Sequence, residues 1–291
     1  MQGVAERISN AINEQVASVH DLNGGCIARV VGCQGERSGP LVAKIGDSSG
    51  DLRIEASMLV DLARLTSLPV PHVLHSASDL LVLQRLPGSP GASETAQSHL
   101  AELLADLHGI ESPSFGYERD TLIGPLSQPN RSVETWAAFF AHQRVVHFAT
   151  LAEQRRALPP GGLRTAHRLA EAMERAPWAF VAPDERPVLI HGDLWSGNFL
   201  SDGQRITGII APAIYYADRE SELAFMSRFG GVGRAFYDRY HELRPIAEGF
   251  FEHRREMYQI YPLLVHAVLF GGGYGQRAVA AMERALSRAP R

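Results

Sequence analysis

Cysteine is nearly absent. The 291 residues hold only two, Cys26 and Cys33. They are not spaced as a zinc pair, and no cluster of Cys and His completes one. An excess of positive charge is also missing: 28 Lys and Arg stand against 32 Asp and Glu, for a net charge of -4 and a pI near 6.3. That balance argues against a nucleic-acid binder, which neutralises phosphates with basic side chains. Long apolar runs are missing too. The most apolar late stretch, IYPLLVHAVLFGGGY, is too short to span a bilayer and contains His266. The opening MQGVAERISNAINEQVASV is interrupted by Glu6, Arg7 and Glu14, so it lacks the apolar core of a signal peptide. These absences lead us to expect a cytoplasmic protein with neither a membrane nor a nucleic-acid partner. No internal repeat or long linker stands out. Twelve histidines invite a metal reading; His72 and His75 are the closest pair, but no third ligand lies near them.

What is present is an ordinary globular composition, 45% apolar and 21% charged. The length suits one large domain or two lobes. Val4, Ile8, Ile12 and Val16 recur at helical spacing, which predicts a helix over residues 1–19. CIARVV, LVAKI, LPVPHVLH and LLVLQRLPG read as strands. DLRIEASMLVDLARL and everything with clear periodicity from SHLAELLADLHG onward read as helix, including Trp136–Thr150, Leu163–Arg175, Glu222–Phe229 and two long stretches after Pro245. The prediction is α+β in two lobes: a small β-rich part over 1–87 and a large, mainly helical part over 88–291.

One interruption of this pattern carries chemistry. PVLI is a short apolar strand, and HGDLWSGN (191–198) begins where it stops. After Asn198, FLSDGQRITGIIA reads as a hairpin about Asp202-Gly203. The hairpin brings residue 211 back beside 193 and 198. Asp193 and Asn198 keep the five-residue step found in protein kinases, where the Asp accepts the proton of the attacking hydroxyl and the Asn holds Mg²⁺. Lys44 on a strand and Glu55 on the apolar face of the next helix suit the pair that orients the nucleotide's α and β phosphates. An acid on such a face needs a partner. Gly24 and Gly25 suit a turn where backbone N–H groups approach phosphate with no Cβ in the way.

With GGCI at 24–27, FGY at 115–117, QPN at 128–130, HGDLWSGN, PAIYYADRE at 212–220, FGG at 229–231 and YQIYPLLVHAVLFGGGY at 258–274, the chain resembles the fructosamine kinases, or ketosamine-3-kinases. These belong to the aminoglycoside and choline kinase-like group with the protein-kinase fold. The resemblance implies ATP- and Mg²⁺-dependent phosphorylation of a sugar hydroxyl on a ketoamine, small or protein-bound, after which the adduct falls away and the protein is repaired. It implies Asp193 as general base, Asn198 as a metal ligand, and Lys44 as a phosphate ligand held by Glu55. Gly24, Gly25 and Cys26 would form the phosphate turn, with Cys26 either a redox-sensitive thiol or a small spacer. Gln84, Arg85 and Leu86 would pass the adenine. Trp195 would wall the sugar, unless it is a plain core Trp, and Tyr216, Asp218 and Glu220 are further substrate candidates. Arg219 with Glu220 is equally readable as a structural ion pair, and His108 as structural. A monomer or weak homodimer is expected.

One position departs from the family pattern. Where an Asp that holds the metal is expected, IIAPA places Ala211. A methyl group offers Mg²⁺ no oxygen. Three accounts stand: an engineered replacement of an acid, a natural pseudokinase, or an active enzyme that borrows another acid such as Asp218. The intact Asp193, Asn198, Lys44 and Glu55 favour the first. The alternative functions are a kinase of another small alcohol (aminoglycoside, choline or nucleoside) and a non-catalytic nucleotide-binding protein.

Overall fold

Val4, Ile8 and Ile12 lie on the inner face of helix α1 (Gln2–Ile12), with Ile8 fully buried. The helix ends well before residue 19. Asn13 takes a left-handed backbone (φ 53°), which Asn tolerates better than most residues, and the chain turns into strand β1 (Val16–Asp21). Val16 is therefore a buried strand residue, as suits its β-branched side chain. The computed structural model describes residues 2–22, 29–46 and 50–288.

Strands β2 (Arg29–Gly35), β3 (Gly39–Ile45), β4 (Val73–Ser76) and β5 (Leu80–Gln84) join β1 in an antiparallel sheet of order β1-β2-β3-β5-β4. Helix α2 (Leu52–Leu65) connects β3 to β4, and its N-cap Asp51 accepts from the Arg53 amide. Alternation sorts the sheet's two faces. Val31, Leu41, Ala43 and Val82 pack with Ile8 of α1. Leu81 and Leu83 pack with Ala56 and Leu59 of α2.

The remainder is mostly helical. Strand β6 (Ser89–Pro90) and helix α3 (Glu94–Leu107), capped by Ser93, lead into it. A short hairpin, β7 (Thr121–Ile123) and β8 (Leu126–Gln128), precedes α4 (Trp136–Phe139), a π-helical stretch over Phe140–Val146, α5 (His147–Gln154) and α6 (Gly162–Arg175). Strands β9 (Val188–Ile190), β10 (Phe199–Ser201), β11 (Ile206–Ile209) and β12 (Tyr215–Ala217) follow. Helices α7 (Arg219–Phe229), α8 (Arg234–Leu243), α9 (Arg255–Tyr258), α10 (Ile260–Phe270) and α11 (Tyr274–Arg288) complete the chain. One large core, centred on Trp136, Phe139, Phe140, Phe148 and Tyr258, ties them together. The architecture is α+β, a sheet-rich N-terminal lobe and a helical C-terminal lobe. Among the described residues, no helix is long and apolar enough to cross a membrane.

Candidate active site

Strand register sets the first half of the site. Lys44 lies opposite Leu81, on the sheet face that α2 covers. Glu55 sits in the first turn of α2. The Lys44 Nζ donates to Glu55 Oε1 at 2.5 Å, and the two side chains are 19% and 15% exposed. Each thus finds the partner that its position in the sequence demands. Lys44 is also the only lysine in the chain. Gly24, Gly25 and Cys26 lie outside the described residues. Gln84 and Arg85 are exposed where β5 ends; the Gln84 amide donates to His72 O and the Arg85 amide to Pro40 O. Leu86 packs on Gly208 of β11, where an added Cβ would come within 2.9 Å of its Cδ1. The strand end thereby meets the hairpin that leads to residue 211.

The second half is a loop stitched to that hairpin. Ala213 N donates to His191 O at 2.8 Å, Ile210 N to Asn198 O at 2.9 Å, and the His191 Nε2–H to Ile210 O at 3.1 Å. Residues 193, 198 and 211 therefore converge. Gly192 has φ 83°, and a Cβ there would lie 2.2 Å from Ala213 O, so only glycine fits. Asn198 Nδ2 donates to Asp193 O at 2.7 Å and to Asp193 Oδ2 at 3.0 Å. Burial pushes the Asp193 carboxyl up to about 8, against the opposing pull of the Asn198 amide and the Lys44 ammonium. The Lys44 ammonium is thus near enough for its charge to act on Asp193.

Beneath the loop sits a residue that the sequence reading passed over. Glu222, fully buried in α7, accepts from the amides of His191 (2.9 Å) and Gly192 (2.7 Å). It also accepts from His108 Nε2 at 3.2 Å, while Tyr240 Oη donates to His108 Nδ1 at 2.7 Å. Burial opposes the Glu222 charge, but these donors outweigh it and hold the carboxyl below its usual value. Burial likewise holds His108 below its usual value, so the contact is a neutral imidazole donating to a carboxylate rather than an ion pair. His108 is structural, as expected.

The QPN and YPLL stretches also find places. Gln128 Nε2 donates to Ala213 O at 3.1 Å, and Tyr261 Oη donates to Gln128 Oε1 at 2.5 Å. Arg144, in the π-helical stretch, is fully buried over the Tyr215 ring at 3.9 Å and donates to Asn130 Oδ1 at 2.7 Å. The backbone just past residue 211 is thus held from behind.

Several candidate positions need correction. Asp218 and Glu220 do not face the site. Asp218 is 2% exposed, caps α7 by accepting from the Glu220 amide, and accepts from Tyr258 Oη at 2.7 Å. It lies beyond Val188, at the end of β9 remote from Asp193, and cannot replace an acid at 211. Glu220 is 1% exposed and pairs with Arg254 at 2.6 and 2.9 Å; Arg219 is not its partner. Tyr216 is half-buried against Tyr117 (ring centroids 5.9 Å apart), on the α2 side. Trp195 is no core residue: it is 38% exposed, its ring lying over Gly197 in the 191–198 loop. Ala211 is half-buried and takes φ 53°.

Residues 1–288 match the family model for fructosamine kinase. The chain belongs to the fructosamine kinase family. Among its relatives, a probable ketoamine kinase of Synechocystis sp. is 32% identical over 297 residues, covering 98% of this chain and 96% of that protein. The chloroplastic protein-ribulosamine 3-kinase of Arabidopsis thaliana is 30% identical, covering 92% and 82% respectively. The crystal structure of a Thermobifida fusca protein named for fructosamine-3-kinase superposes with a TM-score of 0.85 at 31% identity, over 99% of each chain. The aminoglycoside phosphotransferase APH(2")-IIa, solved with streptomycin and ATP, shares the fold, with a TM-score of 0.62 at 15% identity over 97% of this chain and 95% of that one. Membership of the fructosamine kinase family makes the chain one of the phosphotransferase enzymes.

Proposed function

We propose that this chain is built to bind ATP between its lobes and to pass the γ-phosphoryl group to a sugar hydroxyl of a ketoamine, small or protein-bound, in the repair of glycated proteins. The observation that carries this reading is the convergence of Asp193 and Asn198 on the Lys44–Glu55 pair. The names of the relatives support the ketoamine, and the ATP complex of a protein with the same fold supports the nucleotide. Lys44 takes the phosphates while Glu55 orients it. The segment Gln84–Leu86 passes the adenine, and the nucleotide-binding lobe ends near residue 87. Asp193 accepts the proton of the sugar hydroxyl as the new oxygen–phosphorus bond forms and the bond to ADP breaks. Trp195, exposed beside Asp193, offers an aromatic face to the sugar ring.

The donor set does not fit a firmly held Mg²⁺. That ion takes oxygen ligands, usually one or two of them carboxylates. Asn198 can offer an amide oxygen and Ala211 nothing. The backbone at 211 nevertheless keeps the left-handed conformation that costs an ordinary L-residue about 1–2 kcal/mol and that Asp and Asn visit more readily. This supports an acid as the residue suited to the position and impaired catalysis in the chain as it stands. Ala211→Asp is expected to raise turnover on fructosyl-, ribulosyl- or erythrulosyl-lysine by at least ~10²-fold and to make ATP binding depend on Mg²⁺, read by calorimetry. A second reading, a nucleotide-binding protein without catalysis, is favoured by Ala211. ATP binding with no turnover in the Asp variant, on the three ketoamines and on a wider panel of sugar and amine alcohols, would favour it.

A further inference from the structure

Helix α2 presents Glu55 to Lys44 with its first turn, while its later turns are tied to the other lobe. Asp61, 8% exposed, accepts from Tyr117 Oη at 2.9 Å, from Arg64 at 3.2 Å and from Arg119. The same guanidinium nitrogen of Arg119 donates to Ser57 Oγ at 3.2 Å, and the group lies over the Tyr117 ring, 5.1 Å from its centroid. Tyr117 and Arg119 belong to the loop before β7. That loop has little freedom. Gly116 exchanges backbone hydrogen bonds with Tyr216 of β12 at 2.9 and 2.8 Å, and it takes φ 112° with Asn130 O only 2.6 Å from where a Cβ would sit. Strand β12 continues directly from the 210–213 loop. A chain of contacts thus runs from α2 to the catalytic hairpin around the outside of the site.

We propose that Asp61, Tyr117 and Arg119 are an inter-lobe clamp that sets the position of α2 and so keeps Glu55 on Lys44. They are positioning residues, since none touches the site itself. The proposal deepens the phosphate-binding reading of Lys44 and draws its functional meaning from it. The physical reason is that a half-buried guanidinium needs its carboxylate. The Arg119 Nε is buried without a partner and Nη1 donates to Glu118 of its own loop, so its hold on α2 rests on Nη2, which donates to Asp61 and to Ser57.

The single lysine makes the clamp measurable without nucleotide or turnover. An amine-reactive acylating reagent has one side-chain target, Lys44, read by mass spectrometry of its peptide. Asp61→Asn is expected to raise the Lys44 labelling rate roughly tenfold, the factor that one charged hydrogen bond represents, and Asp61→Glu to restore much of the protection. Tyr117→Phe removes one donor and keeps the ring, so a smaller rise is expected; it carries the test should Asp61→Asn fail to fold. If both variants melt earlier yet protect Lys44 as well as the parent does well below the melting point, the cluster is merely structural and the proposal falls. Protection of Lys44 by ATP in the parent is scored separately. ATP that gives none, while the clamp variants still expose the lysine, would sink the phosphate-binding reading and uphold the clamp.

Discussion

Glu222 does for the 191–198 loop what no residue within that loop can do for itself. The amides of His191 and Gly192 point away from the site and need an acceptor, and a buried carboxylate with two oxygens satisfies both. Replacing it with Gln puts an NH₂ group where one amide must donate. Glu222→Gln is therefore expected to cost about 2–4 kcal/mol in urea unfolding and, in an Ala211→Asp background, to lower kcat more than the KM for ATP. Unchanged stability would mean that the loop finds another acceptor. The Asp193–Asn198 pair was legible in the sequence because its geometry is local, five residues apart. Glu222 was not, because it meets His191 from 31 positions away and reads simply as an acid in the first turn of a helix. Asp218 and Glu220 failed as substrate residues for the converse reason: their neighbours in sequence made them look functional, while Tyr258 and Arg254, from far along the chain, absorb them.

Three helices meet at one buried cluster, through His108 after α3, Glu222 in α7 and Tyr240 in α8. Their attachment depends on protonation. His108 titrates below its unfolded value of about 6.5 and Glu222 below its unfolded value of 4.5. In both cases the unfolded chain binds protons more readily than the folded one, so the stability each group contributes is complete above its unfolded value and is lost as pH falls. Melting temperature is expected to drop from pH 7 toward pH 5 as the histidine goes, and more steeply below pH 4.5 as the carboxylate follows. A His108→Gln variant should weaken the first phase, leaving the part owed to His191, which burial also holds below its usual value, and keep the second. Most elements could be read from their periodicity, β3 and α2 above all, since an apolar face left room for only one arrangement of Lys44 and Glu55. The first helix was drawn too long because Val16 continues its spacing; the turn at Asn13 is a backbone event that hydrophobic spacing does not register. Helix α8 (RAFYDRYHEL) escaped because charged and aromatic residues alternate along it, and only Phe236 and Tyr240 are buried.

At the scale of the molecule, the polar ties between the lobes are few: Ile209 N donates to Pro69 O at 2.8 Å, Thr207 Oγ1 to Pro87 O at 2.6 Å, and Tyr117 and Arg119 donate to Asp61 of α2. A lone lysine has a different consequence. Ketoamines form when a sugar condenses with a free amine, and nearly every protein surface offers many. This one offers no lysine at all beyond Lys44, whose ammonium is held by Glu55. Prolonged incubation of the folded protein with ribose is expected to leave every tryptic peptide free of lysine adducts, with Lys44 reacting only after denaturation. Adducts at Lys44 in the native state would show the ion pair to be no shield. A catalyst proposed to strip sugars from its neighbours would then offer, when folded, no side-chain amine to the damage it repairs.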